Sequence, residues 1–341
     1  MNCSNNALVL LQKIVLCFTL LMVMDVRADH ASATFQTGSA GAIVTSPAST
    51  LPAGKWVTGT GVQFIELDDV PDAKLEAAGA AKEDVHSVDT LLSIDVHVAY
   101  GLADDLTVGF SVPYIDRSNV REAHHDTGAG EVELAGDAKG VGDLRLFGLY
   151  RFFRHERQDA AIMAGLKAPT GDTGERELEG GLFEAEQQPG SGSWDLFFGL
   201  SWDRTLGKLG LSASMLYTFV NEGTQQTDLG DVFNYNLAAN YRVFSPEGDH
   251  NHHSHDHGFG LIDYVDAVVE LNGDYRERVE INDINDDNSG GHTLYLSPGV
   301  RIGLGHKWSV YTSVGIPVLN DLNGIQSEPD YRLIGGISAS F

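Results

Sequence analysis

The sequence predicts an all-β fold: a transmembrane antiparallel up-and-down β-barrel of about 12 strands, with short periplasmic turns and long extracellular loops. Three observations carry this expectation. The chain closes on Tyr331-Arg332-Leu333-Ile334-Gly335-Gly336-Ile337-Ser338-Ala339-Ser340-Phe341, in which Tyr331, Leu333, Ile337 and Phe341 share one face and Arg332, Gly336, Ser338 and Ser340 the other. A strand that is apolar on one side and polar or tiny on the other suits a wall between lipid and water, and a closing aromatic is the usual terminal signal of bacterial outer-membrane barrels. The amino-terminus reads as an export leader. Between the two ends, alternating segments are joined by connections that are long and short in turn.

The leader comes first. Residues 1–13 hold a single charged side chain, Lys13, and the apolar run 14–24 follows it. Val26-Arg27-Ala28 places small residues where a signal peptidase reads them, with Ala31-Ser32-Ala33 as a second candidate. A spanning helix needs about 20 apolar residues, more than this run supplies. The expectation is a signal peptide over 1–28 and export to the outer membrane of a Gram-negative cell. Cys3 and Cys17 both lie in the leader, so the exported chain is expected to hold no disulfide and no Cys-based metal site. Residues 29–54 are small and polar, with Pro47 and Pro52 before the first strand, and read as a periplasmic lead-in or a partial plug of the lumen.

The barrel is expected over 55–341. Alternation places strands at 55–67, 88–101, 104–115, 140–153, 158–168, 192–205, 209–222, 232–245, 263–278, 292–305, 307–318 and 331–341. The connections 68–87, 116–139, 169–191, 223–231, 279–291 and 319–330 are long, whereas 102–103, 154–157, 206–208 and the turn at 306 are short. This rhythm puts both termini on the periplasmic side. One periplasmic connection breaks it: a His-rich insert at 246–260.

If the apolar face meets lipid, its neighbours line the lumen. The expected lining is Asp95, His97, Asp143, Arg145, Arg151, Asp195, Asp203, Arg242, Glu270, Asp274, Arg276, Arg301 and Arg332, with Lys167 and Asp266 beside them. An Arg or Lys on the lipid side near mid-membrane would cost about 2–4 kcal/mol, which inward placement avoids. Both signs are present, so strong ion selectivity does not follow.

The net charge is -26, and much of the excess falls in the long loops, as Asp68-Asp69, Glu175, Glu177, Glu179, Glu184, Glu186 and the acidic run 283–287. Such a surface repels nucleic acid, which is excluded as a partner. It reads as a solvated loop surface beside lipopolysaccharide. The run 283–288 lacks the ligand register of an EF-hand.

Three stretches carry a family resemblance: Gly140-Val141-Gly142-Asp143-Leu144-Arg145-Leu146-Phe147-Gly148-Leu149-Tyr150-Arg151, Leu166-Lys167-Ala168-Pro169-Thr170-Gly171-Asp172 and Gly190-Ser191-Gly192-Ser193-Trp194-Asp195-Leu196. In order and spacing they resemble the transporter-like outer-membrane barrels labelled meta-pathway of phenol degradation. The resemblance implies a channel for small solutes, including hydrophobic or aromatic compounds. Expected partners are outer-membrane lipid, lipopolysaccharide, a small-molecule solute, and the barrel-assembly machinery, engaged through the strand that ends at Phe341.

His250, His252, His253, His255 and His257 alternate with polar residues, a pattern that can wrap a labile Zn, Ni or Cu ion, although no cofactor is required. Two other readings therefore accompany the channel: a barrel that buffers, senses or helps export a transition metal, and a closed barrel that serves as a binding platform. Catalysis is not expected, because neither a paired Ser and His on a strand exterior nor a Gly-x-Ser-x-Gly elbow is present.

Overall fold

The computed structural model describes residues 41–83, 85–123, 131–246 and 261–341. Twelve long strands form its wall: β1 (Trp56–Leu67), β2 (Thr90–Ala103), β3 (Leu106–Ala123), β4 (Leu144–His155), β5 (Gln158–Ala168), β6 (Asp195–Leu206), β7 (Leu209–Phe219), β8 (Val232–Phe244), β9 (Ile262–Arg276), β10 (Gly291–Leu304), β11 (Trp308–Leu322) and β12 (Pro329–Ser340). Each pairs antiparallel with its chain neighbours, and β12 pairs with β1 from Val57↔Ser340 to Leu67↔Pro329, which closes the sheet. Closure removes the edges that would leave backbone groups unpaired in lipid. Among the described residues no helix is long and apolar enough to cross a membrane.

Alternation sets the two faces. In β6, Asp195, Phe197 and Ser201 are buried while Leu196, Phe198 and Leu200 are exposed. In β12, Arg332, Ile334 and Ser338 are buried while Leu333 and Ile337 are exposed. These outward apolar residues form the belt. Aromatic rings mark both of its rims, with Trp56, Trp308 and Tyr241 at the short-turn end and Trp194 and Phe219 at the other. The turns hold short-range geometry: Gly207 adopts φ 65° between β6 and β7, a left-handed conformation that suits glycine. Inside, large rings lie over glycines of a neighbouring strand, Phe197 on Gly165 and Tyr311 on Gly336, where a Cβ would collide.

The structure corrects the sequence reading at three places. The connection 116–139 is not an open loop: β3 runs on to Ala123 and pairs with a strand at Val132–Val141, so a hairpin projects beyond the barrel rim. The connection 68–87 contains a helix, α1 (Asp72–Ala81), whose alanines give no apolar stripe in sequence, and Leu75 and Ala78 bury it against Val85 and Ala123. The outer loops are also not simply solvated. Ile65, Leu67, Val88, Leu91, Val120, Ala135, Ala138 and Phe183 pack into a core of their own, which makes the outer end a folded cap.

Candidate functional site

The barrel interior is built around the segment 41–51. Its apolar residues explain a further departure from the sequence reading, which sends apolar side chains to lipid. Phe147, Leu149, Met163 and Phe197 point inward and pack with Ala48 and Leu51, while Val268, Tyr311 and Ile334 pack with Ile43 and Val44. Between these two contacts Glu270, 1 % exposed, receives the segment's backbone. Its carboxylate accepts the N–H groups of Ile43 at 3.1 Å, Val44 at 2.9 Å and Thr45 at 3.0 Å, and the Thr45 hydroxyl at 2.9 Å. Successive amides converging on one carboxylate stabilise a buried charge, and the guanidinium groups of Arg301 and Arg332 lie close enough to add to it. Ala48 N–H donates to Asp203 at 2.8 Å, Leu51 N–H to Thr107 at 2.8 Å, and Arg301 donates to the Ala42 carbonyl at 2.7 Å.

The thirteen expected lining residues fall into three groups along the barrel. Near the short turns, Arg151 pairs with Asp105 at 2.7 Å, and Arg242 pairs with Asp266 while lying 4.4 Å from the Tyr264 ring centre. Asp203 and Arg301 line a cavity at that same end, and at mid-height are Glu270 and Arg332, together with Asp95, which sits 3.3 Å from His97 Nδ1. Arg332 donates to Asn272 Oδ1 at 3.0 Å and stacks 4.0 Å from the centre of the Tyr295 ring. At the outer end are Asp143, Arg145, Asp195, Asp274 and Arg276, and Arg276 donates to the Leu229 carbonyl at 3.1 Å.

That outer group gathers all three stretches that carry the family resemblance. Lys167 lies 3.3 Å from Asp143 and 2.5 Å from Asp195. Asp143 also accepts the Gly171 N–H at 2.9 Å and the Ser191 N–H and hydroxyl at 2.9 and 2.7 Å. Ser193 bridges to Asp195 at 2.8 Å, and Gly171 and Gly190 approach so closely that a Cβ on either would strike backbone. The motifs thus clamp the third outer loop down into the barrel mouth. Ser191, Ser193, Asn272 and the plug residues are site components that the alternation pattern cannot single out, because none is charged.

Two cavities border the segment 41–51, and a third lies toward the outer end of the barrel. The one at the short-turn end holds about 520 Å³ and is lined by residues including Ala42, Asp203, Lys208, Asn240, Arg242 and Arg301. A small one of about 20 Å³ lies among Val44, Ser214, Asn236, Asn272 and Arg332. Beyond it an outer chamber of about 150 Å³ has apolar walls at Leu91, Ile115, Phe197 and Leu216 and guanidinium groups at Arg117, Arg145 and Arg276.

Among the described residues one group could hold a metal: His86, Glu184 and Glu186, in the cap. The signal segment 1–28, the His tract 250–257 and His124-His125 lie outside the described residues.

A closed barrel with an apolar belt between aromatic rims is a protein of the bacterial outer membrane, and the described architecture is of that class. No protein-family model and no curated protein matches the sequence. Among solved structures, the fold is similar to an outer membrane channel from Pseudomonas putida F1, with TM-score 0.55 and 17% identity over 86% of this chain and 97% of that one. Weaker similarity extends to the β domain of the Bordetella autotransporter BrkA, with TM-score 0.45 and 12% identity over 85% and 100% of the two chains. It also extends to the CymD monoaromatic hydrocarbon channel, with TM-score 0.41 and 11% identity over 85% and 88%. At these identities the likeness concerns the fold.

Proposed function

We propose that the chain is an outer-membrane channel for small amphipathic solutes, with aromatic compounds among them, and that the segment 41–51 is its gate. One observation carries the reading: the segment 41–51 is held to the wall by hydrogen bonds as well as apolar contacts, with cavities of about 520 and 20 Å³ beside it and one of about 150 Å³ toward the outer end. A length of backbone occupies part of the interior, and its amides resting on Glu270, Asp203, Ser214 and Thr107 can exchange those partners for water.

The outer chamber supports the solute class. Leu91, Pro113, Ile115, Phe197 and Leu216 offer an apolar wall for a ring, and Arg117, Arg145 and Arg276 face a polar substituent. The resemblance to the meta-pathway barrels points the same way, as does the channel description of the Pseudomonas putida protein that shares the fold.

Conductance in planar bilayers tests this. The intact chain is expected to show small, infrequent steps, and a chain lacking 41–51 larger and longer ones. Liposome uptake of benzyl alcohol should rise with them. A plug-less barrel that folds yet neither conducts nor admits solute would overturn the channel reading in favour of a binding platform.

A further inference from the structure

Three side chains from two outer loops meet in the cap, away from the solute path's plug. His86 stands in the short strand His86–Ser87, which pairs with the far end of β3, and Glu184 and Glu186 approach it from the third outer loop. One ligand atom from each lies within 4.8 Å of the other two. Both ring nitrogens face carboxylates: Nδ1 is 3.9 Å from Glu184 and Nε2 is 3.4 Å from Glu186. The side chains are only 17%, 33% and 10% exposed. Glu122 is the register partner of His86 and shares its face, with Glu133 opposite Glu122 in turn.

This arrangement has an electrostatic requirement. A neutral imidazole carries one N–H and one lone pair. In either tautomer one lone pair therefore confronts a carboxylate in a partly dehydrated place, and a cation at that nitrogen removes the repulsion. The cation is a second proton or a metal ion. Two ligands on a tetrahedral zinc ion stand roughly 3.3 Å apart. Nε2 and Glu186 are already 3.4 Å apart, and Glu184, which faces Nδ1, would swing toward the ion from within the 4.8 Å spread of the three ligand atoms.

The loop that presents the glutamates is fixed independently of any cation. Phe183 is fully buried, and the Gln187 and Gln188 N–H groups close a turn on the Glu184 carbonyl. Gln188 accepts from Glu175 N–H at 3.0 Å and donates to the Glu175 and Phe183 carbonyls at 3.0 and 2.7 Å. Arg117 donates to the Gln187 carbonyl at 3.1 Å. Ligands held by their own backbone supports are the preorganised kind that bind metal with little reordering.

We propose that His86, Glu184 and Glu186 bind one divalent transition-metal ion of the Zn²⁺ class, which clasps the first and third outer loops together. One imidazole with carboxylates suits such an ion better than Mg²⁺ or Ca²⁺, which take all-oxygen shells. The ion would hold the 183–188 stretch against the cap, and that stretch leads directly into the wall of the outer chamber at Gln188, Pro189 and Gly190.

The test must separate this site from the His-rich segment. The starting protein therefore has His124, His125, His250, His252, His253, His255 and His257 replaced by Ser. Equilibrium dialysis against Zn²⁺ at pH 7.5, read by elemental analysis, is expected to retain one ion per chain. His86→Ala should abolish retention, and Glu186→Gln should weaken it at least tenfold. Folding of each variant is checked by heat-dependent electrophoretic mobility, and if His86→Ala does not fold, the double variant Glu184→Gln with Glu186→Gln decides. Zn²⁺ should also slow amide hydrogen exchange over 183–188 in the starting protein but not in His86→Ala. Absence of retained zinc would overturn the proposal. Equal retention with and without His86 would overturn it too, and zinc binding without slowed exchange would overturn the clasp.

Discussion

At the scale of single residues, Glu270 carries the greatest consequence. Strand alternation marks it as inward from sequence alone, but nothing local indicates what it holds, since its partners Ile43 to Thr45 lie 227 to 225 positions away. The same is true of Asp203 and Arg301: their inward direction is readable, while their contacts with Ala48 and Ala42 are matters of tertiary structure. Glu270→Gln keeps the shape but removes the charge and turns an amide NH₂ toward backbone N–H donors. A hydrogen bond to a charged group is worth about 1.5–3 kcal/mol. Loss of about 3 kcal/mol shifts the plug equilibrium roughly a hundredfold toward release. The expected result is a large rise in open-channel probability in planar bilayers, with faster proteolytic cleavage between 41 and 51. Unchanged gating with normal folding would mean that the apolar contacts of Ile43, Val44 and Ala48 alone retain the segment.

At the scale of elements, the strands were readable because period-two alternation is a local property, and every expected segment holds one. The cap was not, because its order comes from contacts between loops: Phe183 with Val120 and Ala135, and α1 against Ala123. Acidic loops suggest a solvated surface until those partners are known. One acidic junction has a consequence for pH. Thr227–Asp228 pairs with Glu280–Ile281, and burial first, then the nearby Asp231 and Glu280, raise the Asp228 carboxyl above its ordinary range. Burial, Asp231, Asp228 and Glu280 raise Glu277 in the same way. A carboxyl raised by folding contributes stability that is fully present below its unfolded pKa and is lost as pH rises through the folded value. This small sheet is therefore expected to tighten in the acid range and loosen toward neutrality. Hydrogen exchange over 227–231 and 279–285, corrected for intrinsic rates, should show protection increasing as pH falls through the carboxylate range. Asp228→Asn should raise protection at pH 7 and flatten that dependence. A steeper dependence in the variant would show that the acidic cluster is not its source.

At the scale of the whole molecule, stability depends on a division of faces between lipid and interior, with inward apolar residues gathered where the plug or the cap supplies an apolar partner. Leu200 and Ser201 are adjacent in β6, yet Leu200 is 43% exposed on the belt and Ser201 is 5% exposed inside. A guanidinium at position 200 would sit near mid-membrane with lipid around it, while its neighbour's polar group faces the interior. Leu200→Arg is expected to lower the free energy of folding into phospholipid vesicles by about 2–4 kcal/mol. Leu182→Arg makes the same chemical change at a 39% exposed position in the third outer loop, outside the belt. There the expected change is within about 0.5 kcal/mol, as for an ordinary surface site. Reversible urea titrations in vesicles, followed by tryptophan emission, measure both. Trp194 and Trp202 on the same strand as Leu200 or at its start make the signal local to the test. A belt facing lipid requires the two variants to separate by more than 1.5 kcal/mol at about the lower bound of that cost. Equal losses would mean that Leu200 packs against protein rather than lipid, and the assignment of faces around β6 would have to be reversed.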